Sequence, residues 1–136
     1  MTTIKFVLLA IFATTLTAYV SVPAFATTKA IKHIDLPDIT SYEEAKKVFN
    51  QTTSELREKN KLDATELQEV HMITYSLEKA VAYFSKNMEG DQQVSAKEIA
   101  ELVELVHVSA ENNRASETKV YLQEYFELAN TYLEGL

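Results

Sequence analysis

Between Asp63 and Met88 the apolar residues keep a strict helical rhythm. Leu67, Val70, Thr74, Leu77, Val81, Phe84 and Met88 recur at alternating spacings of three and four. That places them on one stripe of a long amphipathic helix, which must be covered lengthwise by other helices. The rest of the chain repeats the pattern. Ala45, Val48, Phe49, Thr52 and Leu56 form one further stripe; Ile99, Leu102, Val103, Val106, Ala110 and Asn113 form another. A last one holds Leu122, Tyr125, Phe126, Ala129, Tyr132 and Leu133. Only two glycines and two prolines occur in 136 residues. An all-β chain needs far more turn residues, so the expectation is a few long helices.

Punctuation between the stripes sets the boundaries. Ser41-Tyr42-Glu43-Glu44 is a capping box that opens the first helix at Ser41. A charged run then ends near Asn60, and Asp63 with Glu66 caps the second helix, which runs to about Met88. Glu89-Gly90-Asp91 is a turn, and Ser95 with Glu98 opens the third helix. Leu105 and Val108 widen that helix's apolar face, which makes it the candidate for deepest burial. Asn112-Asn113-Arg114 breaks the chain again, the fourth helix starts near Ser116, and Gly135 caps it. Short connections make neighbours antiparallel. The fold expected for 41–136 is an all-α, up-down-up-down four-helix bundle. Stripes this long could also pair two hairpins across a homodimer.

Ahead of the bundle, 1–26 reads as a secretory signal peptide. Lys5 supplies the positive end, Phe6 to Thr17 the apolar run, and Ala24-Phe25-Ala26 the cleavage site. The alternative is a retained anchor, since the apolar run could extend to Val22. Residues 27–40, with Lys29, Lys32, His33 and Pro37, form an extended arm. The chain has no cysteine, which excludes disulfides, a lipidated cysteine and covalent haem attachment. Export without disulfides points to a bacterial periplasm. Removing 26 residues with one lysine and no acid leaves 110 residues at net −8. With no basic cluster, that charge argues against nucleic acid and anionic lipid as partners, and against the membrane once the signal is cleaved.

Chemistry-bearing residues gather on the second and third helices. Glu69-Val70-His71-Met72 is echoed by Leu105-Val106-His107-Val108, each followed by an acid, Glu78 and Glu111. Two histidines in a bundle raise haem, whose axial ligands must share one level. If Met88 faces Ala96 in the hairpin, His71 faces Asn112 and His107 faces Tyr75 or Leu77. The histidines are then separated by six residues, about 8–9 Å along the axis, beside the stripe and not on it. Glu104-Leu105-Val106-His107 has the Glu-x-x-His spacing of di-iron bundles, and Glu104, His107 and Glu111 are the alternative metal set. The second such motif is missing, because Gln68 stands where a glutamate is needed. The plainer reading makes His71 and His107 interhelical hydrogen-bonding links, with Tyr75, Glu78 and Thr74 as partners. Tyr83, Tyr121, Tyr125 and Tyr132 belong at the core edge. No nucleophilic cysteine, phosphate loop or Gly-x-Ser-x-Gly turn occurs, so the expectation is a protein that is not an enzyme and needs no cofactor.

The segment Val70-His71-Met72-Ile73-Thr74-Tyr75-Ser76-Leu77-Glu78 and the segment Leu105-Val106-His107-Val108-Ser109-Ala110-Glu111 resemble the motifs of a family of small exported bacterial proteins. That family is classed as a domain of unknown function. The resemblance covers roughly Ser41 to Leu133 and implies a helical periplasmic protein. In it His71, Tyr75, Glu78, His107 and Glu111 would form the polar binding cluster. The layout is also similar to cytochrome b562-like bundles, but their axial Met on the first helix and His on the last have no counterpart here. Together these readings imply a non-enzymatic periplasmic binding module for a protein or small ligand, with a metal- or haem-binding bundle as the alternative. A helical adaptor is a third possibility; it would need an exposed apolar face, at Leu105 and Val108.

Overall fold

A computed structural model describes residues 34–136; the expected signal segment and the first half of the arm, 27–33 with His33, lie outside the described residues. Four helices follow in order: α1 (Tyr42–Arg57), α2 (Ala64–Asn87), α3 (Gly90–Glu111) and α4 (Ala115–Glu134). Each packs on the next, α2 on α3 most extensively, and α1 meets α4 to complete the four-helix bundle. The stripes supply the core: Phe49, Leu56, Val70, Leu77, Val81, Phe84, Ile99, Val103, Val106, Tyr125 and Ala129 are all buried. Burial on this scale is what holds helices that would be marginal alone.

The expected caps form where sequence placed them. Ser41 accepts from the Glu44 amide at 3.3 Å, and Asp63 accepts from the Thr65 and Glu66 amides at 3.1 and 3.0 Å. Glu66 returns the favour by accepting from the Lys61 and Leu62 amides, both at 2.7 Å. Those bonds hold the chain through Leu62, whose φ of 49° turns it sharply into α2. α1 therefore ends at Arg57 and not near Asn60.

The larger correction is at the α2–α3 hairpin. α3 opens at Gly90, not at Ser95, and only Met88 and Glu89 separate the two helices. Gly90 takes φ 57°, so the turn closes on the glycine itself and what looked like loop becomes the first turn of α3. α4 likewise starts one residue early, at Ala115, and Asn113 is an exposed turn residue at φ 54° and not part of a stripe. Gly135 is the C-cap, but with right-handed φ −94°.

α1 and α4 pack on each other least extensively of the neighbouring pairs. Large rings fill the space between them. Phe49 meets Tyr125 and Tyr132 edge-on at centroid distances of 6.4 and 5.8 Å, and Phe84 meets Tyr132 at 5.5 Å. Tyr125 thus lies in the core, not at its edge. The chain terminus ties the same pair together: the Leu136 carbonyl accepts from Tyr42 Oη and Lys46 Nζ, both at 2.9 Å. The last residues of the arm are anchored too. Leu36, Pro37 and Ile39 line a shallow pocket together with Val48 and Ser76, and Lys79 Nζ is 2.9 Å from Asp38 and 3.7 Å from Asp35.

Candidate functional site

His71, Thr74, Tyr75 and Glu78 lie at steps of three and four along α2, so they share one face. That face looks at α3, where His107 is carried. Because the hairpin is tighter than the sequence reading assumed, His71 and His107 stand at one level and not six residues apart. Their ring centroids are 4.6 Å apart at an interplanar angle of 79°. Tyr75 completes the stack, 5.1 Å from His71 and 4.9 Å from His107, the latter at 89°. Nor do the histidines flank the buried stripe: His71 is 1% exposed, His107 3% and Tyr75 6%.

Thr74 links the helices. Its hydroxyl donates to the His71 carbonyl at 2.7 Å, and its Oγ1 lies 2.8 Å from His107 Nδ1. With its one proton committed to the carbonyl, Thr74 must accept from His107, so Nδ1 carries a hydrogen. Glu78 Oε1 stands 3.0 Å from the same nitrogen. The Glu78 carboxylate, helped by Glu104 and Glu111, holds the His107 imidazole above its ordinary value of 6.5, against the opposing effect of burial. Gln68 Nε2 lies 3.4 Å from His71 Nδ1.

The five residues singled out in the sequence thus divide. His71, Tyr75 and His107 are brought into mutual contact, and Glu78 joins them with its side chain 34% exposed. Glu111 is half-buried one turn beyond His107. Glu104 of the alternative metal set is exposed while His107 is buried. Among the described residues no three His, Cys, Asp or Glu side chains converge as a metal site would require.

Two interhelical polar ties were not singled out by sequence. Thr118 Oγ1 donates to Ser109 Oγ at 2.9 Å between α4 and α3, and Thr53 Oγ1 and Tyr125 Oη meet at 2.5 Å between α1 and α4. A small hydroxyl residue on a helix's apolar face was the available signal. Leu105 and Val108 reverse expectation: they do not widen the buried face but are 43% and 38% exposed on the outside of α3, and α2 buries the larger set.

Fold and site define an all-α four-helix bundle whose middle hairpin is tied by a closed imidazole–tyrosine–carboxylate cluster. Among the described residues no helix is long and apolar enough to cross a membrane. The chain belongs to a family of unknown function (DUF6746), whose model matches residues 1–134. No curated protein and no solved structure matches it.

Proposed function

We propose that the protein is a non-enzymatic interaction module of the bacterial periplasm, exported by its first 26 residues, that docks a partner protein on the outward side of the α2–α3 hairpin. The observation that carries this reading is the enclosure of the cluster. The groups able to do acid–base chemistry, His71, His107 and Tyr75, are sealed between helices where a substrate would have to part α2 from α3. They serve the module from within, holding α3 in place, and Glu78 and Glu111 reach toward its surface.

The outer side of α3 offers a partner more than a solvated helix does. Leu105 and Val108 are exposed one turn apart, with exposed Glu98, Glu101 and Glu104 on their N-terminal side along α3. An apolar pair flanked by carboxylates on one side fits a partner with an apolar patch beside basic side chains. A photo-crosslinking residue placed at 105 or 108 in cells should give a discrete adduct, and the same residue at Lys119 should not. Equal, diffuse crosslinking at all three positions refutes the docking face. Export is checked separately: the periplasmic fraction should hold a protein whose intact mass starts at Thr27.

A further inference from the structure

We propose that the pocket between the end of α1, the turn that follows it and α4 binds a small organic acid, its anionic head held by Arg57 and Lys119 and its apolar body laid on Leu62, Leu122 and Phe126. The site lies away from the α3 face offered to a partner and stands whether or not that face docks one.

The pocket holds about 320 Å³, at the small end for a ligand site. Its charge sets it apart. The chain has 13 basic and 20 acidic residues, yet Arg57, Lys59 and Lys119 all line this pocket and, among the described residues, no carboxylate does. The remaining polar lining, Asn60 and Gln123, is amide and can donate. The cluster is invisible in the sequence, where Arg57 and Lys59 alternate with acids and Lys119 belongs to another helix.

The three cations differ in readiness. Lys59 Nζ is 2.6 Å from Glu69 Oε2, so part of its charge is already answered. Arg57 is held in place without being neutralised. Its guanidinium lies over the Phe126 ring, 4.5 Å from the centroid, and its Nη2 donates to Asn130 Oδ1 at 2.6 Å. Both partners are neutral, and that hydrogen bond takes up one of five N–H donors. Lys119, exposed on α4, adds a second cation.

The rest of the lining is apolar. Leu62 and Leu122 are only 8% and 4% exposed, and Phe126 is half-buried. Beside such a wall water is excluded and an ion pair is stronger than in open solvent. A bare inorganic anion would leave the wall unused, and a neutral apolar molecule would leave the cations unused. A carboxylate on a short apolar body satisfies both, and the planar guanidinium fork suits its two oxygens.

The test is an amide NMR titration of the mature chain with benzoate, benzamide and acetate at one fixed ionic strength. Benzoate should shift the amides of Arg57 to Leu62 and of Lys119 to Phe126, and the shifts should saturate. Benzamide has the ring without the charge and acetate the charge without the ring; each should bind at least about tenfold more weakly. Arg57→Gln and Lys119→Gln replace exposed side chains and leave the core intact. The first should weaken benzoate about tenfold and the second about threefold. Lys97→Gln, at an exposed position on α3, should change nothing. Benzamide binding as well as benzoate would reduce the pocket to an apolar patch, and acetate binding as well would reduce it to unselective charge. Either result overturns the proposal, as does a benzoate affinity that the Arg57 and Lys119 variants both leave unmoved.

Discussion

Thr74 shows how much one hydroxyl can do in a helix interface. It sits in the apolar stripe, bonds its own helix and the next one, and so fixes a hydrogen on His107 Nδ1. The pH dependence of stability follows from Glu78. The folded His107 imidazole lies above its unfolded value of about 6.5, so its contribution is full below that pH and is lost as pH rises through the folded value. Thermal melts across that window should show the wild type gaining stability toward mild acid, and Glu78→Gln should flatten the slope. The Thr53–Tyr125 bond makes a second residue-scale case. Burial pushes the Tyr125 hydroxyl up and keeps it neutral, a donor or acceptor that must be matched. Tyr125→Phe or Thr53→Val alone should each cost about 1–3 kcal/mol in denaturant unfolding, by stranding the other hydroxyl. The double variant should cost clearly less than the two together.

At the scale of elements, the helix starts carry most of what can be tested. Ser41→Ala should lower unfolding free energy by about 1 kcal/mol, because the Glu44 amide loses its acceptor. Gly90→Ala separates backbone from packing: an added Cβ there finds no atom within 4 Å, while φ is 57°. The loss expected in urea unfolding is about 1–2 kcal/mol, all of it conformational. A smaller loss would mean that α3 can begin later at little cost. The same turn decides the site, since shifting the start of α3 slides His107 along α2 and takes it away from His71.

For the whole molecule, the uneven packing of the bundle matters most. α2 and α3 pack extensively, and hydroxyls and imidazoles tie them; α1 and α4 pack least, and rings bridge them. Phe49, fully buried among Phe84, Tyr125 and Tyr132, is the centre of that bridge. Phe49→Ala should cost about 3–5 kcal/mol by calorimetry, leaving a void among the rings that surround it. Sequence by itself determined the helix count, the buried faces and the caps at Ser41 and Asp63, because these depend on residues three or four apart on one helix. It also brought His71, Tyr75, Glu78 and His107 forward as a set. It could not place the histidines opposite each other or turn Leu105 and Val108 outward. Those outcomes depend on the register between two helices, which a two-residue turn at Met88 and Glu89 sets and which only packing across the seam selects.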